Sequence, residues 1–145
     1  MSRVEAFLSE ADEQEIVEAI RRAEANTSGE IRVHIEPSTN DDPLQHAREV
    51  FHYLKMDNTV ERNGVLIYIA VNTHVFVVYG DSGINAVVPP GFWDSTKEIM
   101  QQYFRQGRFK QGIVEGVLKA GEQLQKHFPW QHGNSNELSD QISKG

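Results

Sequence analysis

The side chains in this sequence best placed to do chemistry are three carboxylates and an amide, Glu30, Asp81, Asp94 and Asn63. Asp81 lies in Gly80-Asp81-Ser82-Gly83, a turn that ends the apolar run 75–79, so its carboxylate is fixed at a strand end. Glu30 opens the alternating run 30–36, and Asn63 with Gly64 opens the continuously apolar run 65–71. Two parallel strands start at the same edge of a sheet where an antiparallel neighbour ends, which brings Glu30, Asn63 and Asp81 to one edge. Asp94, just past Pro89-Pro90-Gly91, folds back toward it, with Glu98 one turn further on. Loop oxygens of this kind are what calcium and magnesium require, so a site for Ca2+ or Mg2+ is the expectation. The same positions also read as plain structure: strand-end and helix-start residues at Glu30 and Asp94, and an Asx turn at Asp81.

Other chemistries find less support. The chain has no cysteine, which removes disulfides, thiolate metal sites and cysteine nucleophiles. Ser82 in Gly-Asp-Ser-Gly resembles the nucleophile segment of chymotrypsin-like proteases, but the two β-barrels that carry such a triad do not fit this length or pattern. The six histidines, His34, His46, His52, His74, His127 and His132, show no helical zinc spacing, and most of them read as surface residues. No phosphate-binding glycine loop or EF-hand loop is present. A rival site at the opposite edge would use Asn40, Asp41 and Asp42, although Asp42 already serves as a helix cap. Phe92 and Trp93 read as core residues opening a helix.

The elements that must position these groups follow from periodicity. Ser9 and Asp12 form a capping box ahead of Ile16, Ile20 and Ala23, predicting a helix to about Ala25. Ile31, Val33 and Ile35 alternate with Arg32, His34 and Glu36, predicting a half-exposed strand near the sheet edge. Asp42-Pro43 starts a second helix buried through Ala47, Val50, Phe51 and Leu54. The run 65–71 is apolar at every position and so is covered on both faces; 75–79 returns antiparallel, and 84–88 is expected to add a short strand. A third helix opens at 92–94, burying Ile99, Met100, Tyr103 and Phe104, and a last helix spans 109–127. Gly112, Gly116 and Gly121 within it each cost about 1 kcal/mol against alanine, which close packing, expected against the sheet, would offset.

At 145 residues the chain makes one domain, expected over 1–129, with 130–145 as a flexible tail that has little to bury. The net charge of −7 argues against nucleic acid or anionic lipid as a partner and suits a cation. No signal peptide or membrane span is read in the sequence, so a cytoplasmic location is the expectation.

The order of these segments resembles the TPM domain family over residues 16–129. Its carriers are Thr27-Ser28-Gly29-Glu30-Ile31, Arg62-Asn63-Gly64-Val65-Leu66-Ile67, Gly80-Asp81-Ser82-Gly83-Ile84, and Phe104-Arg105-Gln106-Gly107 with Gly112-Ile113. Tyr79-Gly80-Asp81, in place of a glycine-tyrosine-glycine turn, and His127-Phe128-Pro129 resemble the family's soluble single-domain branch. The resemblance implies an α/β fold, a three-layer α/β/α sandwich around a small mixed sheet. It also implies divalent-cation binding at an acidic pocket and an acid phosphatase activity attributed to plant relatives, hence a phosphate-containing ligand. With no cysteine, Asp-x-Asp or Arg-His-Gly nucleophile, such an activity would need a metal-activated water held by Asp81, Glu30 and Asp94, with Arg62 toward the phosphate. The expectation is therefore a cation-binding TPM-like domain. Its alternatives are a weak metal-dependent phosphatase using the same pocket, or a protein-interaction module near Phe92 and Trp93 whose partner the sequence leaves unnamed.

Overall fold

The computed structural model describes residues 8–37, 42–130 and 141–144. Asn40 and Asp41 of the rival site, and residues 131–140 and 145 of the expected tail, lie outside them.

Helix α1 (Glu10–Glu24) is started by the predicted capping box, with Asp12 N donating to Ser9 Oγ at 3.0 Å and Ser9 N to Asp12 Oδ2 at 3.2 Å. Strand β1 (Glu30–Glu36) follows, then α2 (Pro43–Tyr53), where Asp42 Oδ1 accepts from Leu44 N at 3.1 Å and Pro43 takes the first turn. Strands β2 (Gly64–Ala70) and β3 (Val75–Gly80) form a hairpin. The chain then runs through a single-turn helix α3 (Ser82–Asn85), α4 (Asp94–Arg105), α5 (Phe109–His127) and the two-residue strand β4 (Ser143–Lys144).

The sheet has the order β3-β2-β1-β4, with β1 parallel to β2 from Glu30↔Gly64 to Glu36↔Ala70 and β3 antiparallel to β2 from Val65↔Gly80 to Ala70↔Val75. Period-two alternation splits the side chains of β2 between two cores and sends the apolar ones of β1 to one of them. On one face Ile31, Val33, Ile35, Val65, Ile67 and Ile69 pack with α1, α4 and α5; on the other Leu66, Tyr68 and Ala70 pack with α2. This is the expected three-layer sandwich, and every residue of β2 is buried, as its unbroken apolar run predicts.

Four expectations are corrected. Residues 84–88 form no strand: Asp81 caps α3, whose backbone bonds are already closed as a helical turn. β1 is not at the edge; it lies between β2 and β4, and His34, held against Tyr68 and Ser143, is only 6% exposed, while Arg32 and Glu36 are half-buried. Part of the expected tail is ordered as β4, which runs parallel to β1 with Ser143 opposite His34. α5 does cover the sheet, but its glycines face other helices. An added Cβ at Gly112 or Gly116 meets Phe104 or Met100 of α4, and one at Gly121 meets Ala23 of α1.

Candidate functional site

The predicted edge forms where β1 and β2 start and β3 ends. Glu30 N donates to Asn63 O at 3.3 Å and Asp81 N to Gly64 O at 2.9 Å, so Glu30 at the start of β1, Asn63 just before β2 and Asp81 just after β3 stand along one edge of three adjacent strands, all three buried. The Gly-Asp-Ser-Gly turn has a steric origin as well as a conformational one. Gly83 N donates to Arg62 O at 2.8 Å, and a Cβ at Gly83 would overlap the carbonyl of Glu61. The turn is thus pressed against the loop entering β2.

That contact sets Arg62 over Asp81. Arg62 adopts a left-handed backbone (φ 51°) and donates from Nε to Asp81 Oδ2 at 2.9 Å and from Nη2 to Oδ1 at 3.2 Å. Ser82 N adds a third donor to Oδ1 at 2.7 Å. The hydrogen bonds and charge of Asp81 hold the Arg62 guanidinium above its ordinary pKa. Beside this pair lies a group the sequence analysis did not single out: Glu61 Oε2 accepts from Asn63 Nδ2 at 2.9 Å and from Ser28 Oγ at 2.5 Å. Ser28 is held in turn by its neighbours, because Ser28 N and Thr27 Oγ1 both donate to Phe128 O at the end of α5. The only signal for Glu61 was its place two residues before Asn63.

Asp94 is not part of this group. It lines a hollow of about 450 Å3 with Asn85, Pro89, Gly91, Trp93 and Lys97, and none of Glu30, Asn63 and Asp81 does. Glu98, one turn along α4, is exposed. Among the described residues, no three His, Asp or Glu side chains are arranged so that they could hold a metal ion. The donors at the edge are all oxygens, the type a hard cation takes, but the guanidinium already neutralises Asp81. A cation fits this donor set only if Arg62 gives way.

A second polar cluster, at the opposite end of β1, escaped the sequence analysis. Glu36 Oε1 bonds His34 Nε2 at 2.8 Å, while Oε2 bonds His46 Nε2 and Tyr68 OH, each at 2.8 Å. The His34 ring stacks on Tyr68 at 5.8 Å, its partner in the parallel register, and His34 Nδ1 meets Ser143 Oγ at 2.9 Å. A carboxylate can only accept, so each histidine contact to Glu36 is a hydrogen bond when the histidine carries its proton on Nε2. Burial lowers the pKa of His34, against the raising effect of Glu36. His34, Glu36 and Tyr68 are thereby committed to one another. The signal was the His34 and Glu36 spacing on one face of β1, read as a solvated face because β4 was not foreseen.

Residues 2–123 match the model of the TPM domain. No curated protein matches the chain. Among solved structures, the chain is similar to the BA42 protein of the psychrophilic bacterium Bizionia argentinensis, with 55% identity, a TM-score of 0.93 and 100% of both chains covered. It is also similar in fold to the N-terminal domain of a P. gingivalis protein, at 24% identity and TM-score 0.68, covering 87% of this chain and 83% of the other. The N-terminal domain of the cg2496 protein of Corynebacterium glutamicum has the same fold at 14% identity and TM-score 0.64, covering 91% and 81%.

Proposed function

The chain belongs to the TPM domain family, and from that membership and the Asp81 edge we propose that it is a divalent-cation-binding domain in which Arg62 acts as the resident counter-ion. The observation that carries this reading is the closure of a buried carboxylate, Asp81, by an exposed arginine on a left-handed loop residue. A hard cation would take the place of the guanidinium and draw on carboxylate and amide oxygens at the same edge, from Glu30, Glu61, Asn63 and Asp81. Two charges replacing one favour the exchange at this acidic edge, whereas the two hydrogen bonds to Arg62 oppose it.

Phosphate ester hydrolysis draws no comparable support. It would need cationic groups for the phosphate charge beyond the metal, and no observation at this edge supplies one other than Arg62, the counter-ion of Asp81. The interaction-module alternative is equally without a specific observation, since Trp93 packs into the core.

The test is a titration with calcium and, separately, magnesium, followed by backbone amide NMR on the wild type, Asp81→Asn and Arg62→Gln. Saturable shifts centred on residues 30, 61, 63 and 81 are expected, lost in Asp81→Asn and reached at about tenfold lower cation in Arg62→Gln. Absence of any localised shift at millimolar cation in both the wild type and Arg62→Gln would exclude the reading.

A further inference from the structure

We propose that the cavity at the carboxyl end of β2 is a binding site for a small carboxylate with an apolar body. It lies at the other end of β2 from Asp81, beyond the carboxyl ends of the parallel pair, where open α/β sheets commonly take ligands.

Its walls are apolar and aromatic. Val71, Phe76, Phe104 and Phe109 line a volume of about 250 Å3, and all four are half-buried, leaving apolar surface toward the hollow. Phe104 meets Phe76 edge-on at 5.2 Å and Phe109 at 5.8 Å, so the rings brace one another. Gly112 on α5 keeps Phe104 in place, since a Cβ there would come within 2.6 Å of its ring.

The rim is polar, and its formal charge is that of the Arg105 guanidinium. His74, Gln101 and Arg105 line the cavity, and no Asp or Glu does. Among the described residues the Arg105 guanidinium has no hydrogen bond or ion pair, a contrast with Arg62, which is closed by its own carboxylate. On a chain of net charge −7, an acid-free aromatic cavity beside an uncommitted guanidinium selects an anion with an apolar body.

Volume sets the size of that body. A cavity of about 150 Å3 takes benzene, and drug-sized ligands occupy roughly 300–1,000 Å3. The cavity here falls between, matching one aromatic ring, or a short branched chain, bearing a carboxylate.

Phenylacetate is the probe, with phenethylamine as a cation carrying the same ring. Methyl NMR of the wild type is expected to give saturable shifts at Ile69, Val71 and Val75 with phenylacetate, at least about tenfold tighter than with phenethylamine. Arg105→Gln, at an exposed position, should weaken phenylacetate about tenfold, and Val71→Phe, which fills the cavity, should abolish binding. Should Val71→Phe fail to fold, the arginine variant and the amine decide alone. Equal binding of the two probes, no effect of Arg105→Gln, or no saturable shift at about 10 mM phenylacetate overturns the proposal.

Discussion

Arg62 and Asp81, nineteen residues apart, form a two-pronged ion pair at 2.9 and 3.2 Å that joins the loop entering β2 to the cap of α3. The two partners are unequal: the Asp81 side chain is 6% exposed and that of Arg62 47%. One carboxylate therefore does two structural jobs, capping a helical turn and holding a strained loop residue.

That inequality predicts different costs of removal. Asp81→Ala loses the cap of α3, about 1 kcal/mol, and also releases the Arg62 loop. Arg62→Ala leaves the buried Asp81 carboxylate with the Ser82 amide but without its counter-charge, the larger penalty because the group left behind is desolvated. Urea unfolding should show the larger drop in midpoint for Arg62→Ala; a larger drop for Asp81→Ala would mean that the cap outweighs the buried charge.

The glycines of α5 should respond to alanine in a definite order. At Gly121 the new Cβ would meet Ala23 Cβ at 2.6 Å and Ala23 Cα and O at 2.9 Å, and none of these atoms can rotate away. Overpacking costs roughly 1–3 kcal/mol, against about 1 kcal/mol gained in helix propensity, so Gly121→Ala is expected to lower thermal stability. At Gly116 the obstacle is the Met100 thioether chain, which can re-route, and the change should be close to neutral. Thermal unfolding of the two variants checks this order.

His34 should make stability depend on pH. It is faced by Glu36 and Arg32 on its own strand, His46 from α2, Tyr68 from β2 and Ser143 from β4. Burial, the dominant influence, lowers its folded pKa below the ordinary 6.5. The unfolded chain then binds the proton more readily. The contribution of His34 is fully present above pH 6.5 and is lost as pH falls from there toward the folded pKa. Melting curves between about pH 7.5 and 5.5 should show wild type losing more stability than His34→Asn; parallel curves would contradict this linkage.

The local elements were readable because their causes are local. The Ser9 and Asp12 box, the Asp42-Pro43 start and the span of α5 depend on side chains within a few residues of one another. The parallel pairing of β1 with β2 also followed, from the length of the connection and the intervening helix. Residues 84–88 were misread because a short apolar run carries no periodicity long enough to separate strand from turn. At the candidate edge, sequence reasoning brought Glu30, Asn63 and Asp81 together through strand direction alone, but it placed Asp94 there as well, and the path of residues 86–93 leads Asp94 into another hollow.

The sequence by itself determined the sandwich, its buried central strand and the strand ends on which the acidic groups sit, because hydrophobic period and turn chemistry act over short distances. Only the tertiary structure decided which charges meet. Arg62 reaches Asp81 through the close packing of Gly83 on residues 61 and 62, and Glu36 gathers His34, His46 and Tyr68 through strand register and the docking of α2. Such pairings join segments far apart in the chain, and their geometry is set by backbone placement to within an ångström, a precision that residue type and spacing do not contain.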